Sequence, residues 1–164
     1  MTNFDLKCVG LLEFDELNIN QLKAFNQRTF PVKYQKSFYT DVVDKHSNLC
    51  IGLTFKNFLI GTICCRIQVH SVLPFDGTHA YIMLLGIDLQ FRKKGLASQL
   101  LQYILERIET QYEHVTFIYL HVQLDNDSAL QFYLKHGFVV HRLDRDYYQI
   151  EPKEAYILYK EYKR

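Results

Sequence analysis

The spacing of apolar positions changes along the chain, and each change predicts a new element. Leu6 to Leu12 reads as a first strand. Ile19, Leu22, Phe25 and Asn26 then recur at helical spacing through about Arg28, with Asp15 and Asn18 placed to cap that helix. Phe30-Pro31-Val32 interrupts it, because a proline disfavours helix at the residue before it. Gln35 to Val43 makes a short second helix, with Phe38, Val42 and Val43 inward. Asn48 to Phe55 and Phe58 to Val69 read as strands joined by a tight turn at Lys56-Asn57. His70 to Thr78 contains Pro74 and Gly77 and reads as a loop. His79 to Leu89 is the next strand, and Ser98 to Ile108 is a helix with its stripe at Leu100, Leu101, Ile104, Leu105 and Ile108. Val115 to Gln123 is nearly all apolar, which suits a strand covered on both faces. Asp125 to Ser128 caps a helix from Ala129 to His136, and Gly137 ends it. Phe138 to Leu143 is a strand, Asp144 to Pro152 a loop, and Ala155 to Tyr162 a last strand. The predicted order is β-α-α-β-β-β-α-β-α-β-β. That is an α+β fold, a mixed sheet with helices on both faces.

Composition narrows the function classes. At 164 residues the chain suits one domain, residues 1–164, with no repeat and no low-complexity tract. A net charge of +1 gives no support to nucleic-acid binding. No apolar run approaches the ~18 residues of a membrane helix, and Met1 to Asp5 carries no secretory signal. A soluble, cytoplasmic protein is expected, with access to the nucleus left open. Cys8, Cys50, Cys64 and Cys65 fit neither a disulfide framework nor a zinc site, so reduced, mostly buried thiols are expected.

Between the predicted fourth strand and third helix lies Gln90-Phe91-Arg92-Lys93-Lys94-Gly95-Leu96-Ala97. The first turn of a helix has backbone N–H groups without intrahelical partners, and the helix dipole adds positive charge there. Arg92, Lys93 and Lys94 add full charges, and Gly95 permits a left-handed backbone. A pyrophosphate would suit such a turn. The spacing is neither that of a Walker loop nor that of a dinucleotide fingerprint. A basic loop capping a surface helix would have the same composition.

The pattern Arg92-x-x-Gly95-x-Ala97 resembles the acetyl-coenzyme A signature of the GCN5-related N-acetyltransferases (GNAT). Asn126-Asp127-Ser128-Ala129-Leu130-Gln131-Phe132-Tyr133, followed by His136-Gly137-Phe138, resembles the family's second signature. Phe30-Pro31-Val32-x-Tyr34, Cys64-Cys65-Arg66, Tyr81-Ile82-Met83, Tyr119 to Gln123 and Tyr147 to Pro152 are similar to the NatE (San-type) branch of N-terminal acetyltransferases. The likeness runs from about Asn20 to Leu158. Leu84 departs from that branch's threonine, Ala97 from a glycine, and Gln149 from a basic residue. The resemblance implies the GNAT fold and acetyl transfer from acetyl-CoA to a peptide or nascent-chain N-terminus. It implies no metal, and it extends to membership of a larger ribosome-associated acetyltransferase complex. Lysine or small-amine acetylation, or a weakly active docking subunit, are the competing readings.

Acetyl transfer needs a neutral amine, donors for the carbonyl oxygen and a proton for the leaving thiolate. His121 is unexpected in its apolar run; taken alone it reads as a core histidine bonded to a carbonyl. The resemblance instead implies a general base acting through water, with Tyr81 as its partner and Tyr133 as the acid. It places acetyl-CoA against Leu84, Leu85, Gly86 and Ile87, the Arg92, Lys93, Lys94, Gly95, Leu96 and Ala97 turn, and Asn126, Ser128, Ala129 and Tyr133. Backbone N–H groups around Met83 to Leu85 would serve the carbonyl, given a bulge in the fourth strand. Asn126 and Ser128 also fit a plain helix-capping role. Phe30, Pro31, Val32, Tyr34, Met83, Tyr147, Tyr148 and Ile150 would form an apolar peptide groove suited to methionine.

Overall fold

A computed structural model describes residues 8–69 and 77–162. Its strands are β1 (Val9–Glu13), β2 (Cys50–Phe55), β3 (Phe58–Val69), β4 (Thr78–Ile87), β5 (Phe117–Gln123), β6 (Val139–Asp144) and β7 (Ala155–Glu161). Its helices are α1 (Ile19–Thr29), α2 (Lys36–Asp44), α3 (Leu96–Gln111) and α4 (Asp127–Lys135). The strands form one sheet in the order β1-β2-β3-β4-β5-β7-β6. β4 and β5 are parallel, while β1–β2, β2–β3, β5–β7 and β6–β7 are antiparallel. The element order is the predicted one, and the sheet is mixed.

Boundaries moved where backbone chemistry outweighs the apolar pattern. β1 lies at Val9–Glu13 rather than Leu6–Leu12, and Met1 to Lys7 fall outside the described residues. The predicted loop at His70 to Thr78 also falls outside them up to residue 76; Thr78 already belongs to β4. α3 begins at Leu96 rather than Ser98, because its start is set by the left-handed Gly95 (φ 78°). Asn18 stands at the start of α1, yet its side chain does not cap the helix. Its Oδ1 accepts from the Asp15 N–H instead, and its Nδ2 donates to the Glu13 carbonyl. Gly137 has φ 81° and ends α4 as expected.

The chain divides into two compact units. The first comprises residues up to Arg66 together with Met83–Arg107. Its core joins Leu22 and Phe25 of α1, Tyr39 and Val42 of α2, Cys50, Leu59 and Cys64 of the sheet, and Leu84. Burying a leucine or phenylalanine there stabilises by about 1.5–3 kcal/mol. Cys50 and Cys64 face each other across β2 and β3, and burial pushes the Cys50 and Cys65 thiols up. Cys8 is exposed and the other three cysteines are buried, in line with mostly buried thiols. The second unit comprises Ile67–Ile82 and residues from Ile108 onward. Its centre is β5, where Phe117 to Leu120 and Val122 are buried and His121 is only half-buried.

Candidate active site

In the first unit, β4 ends at Ile87 and the chain turns sharply. Asp88 Oδ1 accepts from the Gln90 N–H (3.3 Å) and shapes the single 3₁₀ turn Leu89–Phe91. Arg92 Nε donates back to the Ile87 carbonyl (3.0 Å), which ties the first cation to the strand end. Lys93 (φ 57°) and Gly95 (φ 78°) are left-handed. The Gln99 N–H donates to the Gly95 carbonyl (3.1 Å), so the Leu96, Ala97 and Ser98 N–H groups precede the helical ladder. Arg92 to Gly95 are exposed around them. A Cβ on Gly95 would meet nothing within 4 Å, so glycine is needed there for its backbone conformation rather than for room inside the protein. These features fit a pyrophosphate. Leu96 is buried and can offer only its backbone. The same holds for the buried Leu84 and Ile87, whereas Leu85 and Gly86 are half-buried.

The apolar segment Phe30–Tyr34 belongs to the same unit. The Phe30 ring meets Phe25 edge-on (6.2 Å) and Tyr34 edge-on (6.0 Å). It lies so close to Gly86 that a Cβ there would stand 2.4 Å from Phe30 Cζ. Met83, like Phe30 and Tyr34, packs against the core of this unit, while Pro31 and Val32 are exposed. The unpaired apolar surface at Val32 is the part a ligand can still cover.

The second unit gathers the titratable groups. β4 pairs with β5 only at Ala80–Ile118 and Tyr81–Tyr119, whereas β5 stays paired with β7 from Phe117 to Gln123. Where a bulge was expected near Met83, the described feature is this early end of the β4–β5 ladder. Tyr119 and His121 share one face of β5, and Tyr81 stands opposite Tyr119. The Tyr81 and His121 rings are 5.8 Å apart. Tyr147 lies flat on His121, with ring centroids 3.7 Å apart and planes within 7°. The Tyr147 and Tyr81 hydroxyls share a 2.5 Å hydrogen bond. Tyr148 stands perpendicular to Tyr147, and its hydroxyl donates to the His121 carbonyl (3.5 Å). The loop carrying both tyrosines is tied down by Tyr148 N–H to the Lys153 carbonyl and Gln123 Nε2 to the Pro152 carbonyl. Ile150 is half-buried within it.

Burial lowers the His121 pKa from 6.5 to about 4; Asp144 opposes this shift and Arg142 adds to it. The imidazole is therefore neutral at pH 7, and its buried Nδ1 has no hydrogen-bond partner. Burial, then Tyr147, pushes the Tyr81 phenol well above its usual range. Burial, then Tyr147, takes Tyr148 up to about 12. These two phenols keep their protons at pH 7, so the cluster offers O–H donors and one imidazole able to accept. Tyr119 was quoted only as part of a motif and given no role, and Gln68 was not singled out from the sequence. Gln68 Nε2 donates to the Tyr119 hydroxyl, and Tyr119 packs against Tyr81 (4.8 Å). The two-residue period of β5 is the signal that places Tyr119 with His121.

Tyr133 sits on α4, buried, with its ring edge-on to Phe132 (5.1 Å) and Phe138 (5.3 Å). Asn126 Oδ1 accepts from the Ala129 N–H (3.1 Å), the helix-capping role. Ser128 is exposed and Ala129 half-buried beside it. Among the described residues, no three His, Cys, Asp or Glu side chains are grouped to hold a metal. No described helix is long and apolar enough to cross a membrane.

The pattern of the Acetyltransferase (GNAT) family matches residues 18–138. The chain belongs to this family. It is 39% identical over 146 residues to N-alpha-acetyltransferase 50 of Danio rerio, covering 87% of this chain and 82% of that protein. It is 34% identical over 148 residues to the probable N-acetyltransferase san of Drosophila melanogaster, covering 90% and 77%. Among solved structures it resembles Arabidopsis thaliana Naa50 in complex with the bisubstrate analogue CoA-Ac-MVNAL. That match has a TM-score of 0.83 at 31% identity over 94% of this chain and 99% of that one. These relatives put this GNAT chain among the acetyl-CoA-dependent N-α-acetyltransferases.

Proposed function

We propose that this chain acetylates the α-amine of polypeptides that begin with methionine followed by an apolar residue. The observation that carries the reading is the apolar Phe30–Tyr34 segment, whose Pro31 and Val32 remain exposed for a side chain to cover. At pH 7.4 an α-amine of pKa about 7.8 is roughly one-quarter neutral, while a lysine amine of pKa about 10.4 is about 0.1% neutral. His121, neutral at pH 7 because burial lowers its pKa, can accept the proton that such an α-amine loses.

The roles follow from the chemistry of each group. The Arg92–Ala97 turn binds the diphosphate of acetyl-CoA through its N–H groups and cations. Acetyl-CoA supplies an acetyl thioester. The Tyr81 and Tyr147 hydroxyls orient a water molecule toward the imidazole of His121, which accepts the proton the amine loses. Tyr133 holds a proton for the departing thiolate, so one proton is taken and one returned per turnover. Phe30, Pro31, Val32, Tyr34 and Met83 wall the methionine and the second side chain. The bound peptide of the Arabidopsis relative, MVNAL, begins with methionine and valine, in keeping with that preference.

Burial of an apolar second residue contributes roughly 1.5 to 3 kcal/mol, or about 10- to 150-fold in kcat/KM. A Met-Leu peptide should outrun a Ser-Glu peptide by at least about tenfold, and an internal lysine should be a poor acceptor. Val32→Lys should lower the Met-Leu rate and spare acetyl-CoA affinity. Faster acetylation of lysine peptides than of Met-Leu would replace this reading with that of a lysine acetyltransferase.

A further inference from the structure

Phe30 adjoins Arg28, a residue that neither the sequence motifs nor the proposed chemistry uses. Arg28 is the basic residue of the last turn of α1. Its Nη2 donates to the Leu59 carbonyl (2.5 Å) and its Nε to Asp88 Oδ2 (3.1 Å). Its guanidinium lies over the Phe25 ring (5.0 Å), and Phe25 in turn meets Phe30. Asp88 is bound on its other side as well. Oδ1 shapes the turn at Gln90, and its N–H donates to the Ile60 carbonyl (2.8 Å). One carboxylate therefore touches both the end of α1 and the start of the cationic turn. Lysine could not copy this arrangement, since it lacks the planar fork that reaches two acceptors at once.

We propose that Arg28 is a positioning residue for acceptor recognition. With Asp88 it forms a strut that fixes the Phe30–Tyr34 wall against the strand-to-turn junction, and it touches neither substrate. The inference rests on the reading of that wall as the acceptor site. Both partners are partly exposed, with 43% and 23% of their side-chain surfaces accessible. Pairs of this kind contribute little to folding, which lets the functional effect be read separately from stability.

The test is a double-mutant cycle in the full chain, with a Met-Leu peptide and acetyl-CoA. Arg28→Gln should raise the peptide KM about three- to tenfold, a usual coupling for residues in contact. The acetyl-CoA KM, the kcat at saturating peptide and the melting temperature should barely move. Asp88→Asn keeps an oxygen for the Gln90 N–H and should give the same peptide KM. The double variant should be no worse than the worse single one. Arg28→Lys should recover only part of the loss. An unchanged peptide KM in Arg28→Gln, strictly additive effects, or full recovery by lysine would each overturn the strut. So would a parallel fall in melting temperature and kcat, which would mark a merely structural role. Absence of a Met-Leu preference in the unaltered chain would overturn the reading of the wall itself, and is seen without any variant.

Discussion

Acidification should reveal His121 through both stability and rate. In the unfolded chain its imidazole takes a proton below about pH 6.5. In the folded chain burial delays that step to about 4. Between those values the unfolded state binds more protons, so stability falls as pH falls. The His121 contribution is full above about pH 6.5 and gone near pH 4, and the gap corresponds to about 3 kcal/mol. Carboxylates and His46, whose pKa burial also lowers, titrate in overlapping ranges. A His121→Phe variant isolates the term, since phenylalanine can keep the flat stack on Tyr147. Urea denaturation of both proteins from pH 7.5 to 4.5 should show the unaltered chain losing more stability, by up to about 3 kcal/mol.

The rate experiment has the same root. The pH profile of kcat/KM reports the ionisations of free enzyme and free peptide. It should rise with slope one toward the α-amine pKa of about 8 and show no second break near 6.5. Direct titration of the His121 ring protons by NMR should place the midpoint near 4; Tyr147, at 3.7 Å, marks those protons by its ring current. A midpoint near 6.5, or equal acid loss in His121→Phe, would refute the burial argument.

Other perturbations probe the remaining parts. Gly95→Asp should abolish acetyl-CoA binding by calorimetry while the fold survives, because it sets a carboxylate among the turn's N–H groups. Gly95→Ala meets no atom within 4 Å, so it should show only the left-handed backbone penalty of about 1–2 kcal/mol in denaturation. Gly86→Ala must push back the Phe30 ring, and should raise the Met-Leu KM and lower stability by about 1–3 kcal/mol. Tyr147→Phe keeps the stack but drops the bond to Tyr81, and should lower kcat about fivefold. Tyr147→Ala should instead rehydrate His121 and introduce a new limb near 6.5 in the pH profile.

Elements with a strong period were legible in the sequence alone. The i, i+3, i+4 stripe of α3 and the nearly all-apolar run of β5 leave few alternatives, and both lie where expected. Their ends were less legible, because ends are set by single backbone events. Gly95 starts α3 two residues early through its φ, and Asn18 turns its side chain to Asp15 and Glu13 rather than to the helix. Leu105, read as part of the α3 stripe, is only half-buried, so the face is narrower than its sequence period.

The candidate site was legible wherever one segment contains its own chemistry. The cationic turn and the histidine in an apolar strand both stand out within about ten residues. What periodicity and spacing alone could not supply is the electrostatics that joining distant segments creates. Tyr147 comes from a loop far along the chain, yet its ring covers His121, and burial of this kind is what makes that imidazole so weak a base. Arg28 and Asp88 are 60 positions apart, and neither sits in an unusual local pattern. An arginine ending a helix and an aspartate opening a turn read as ordinary surface punctuation. Only when α1 and the end of β4 come together does the pair connect the apolar wall to the cationic turn. Recognition of the acceptor then depends on a contact that no single stretch of sequence contains. Variants at those two positions are therefore the ones most able to shift substrate preference without touching any motif residue.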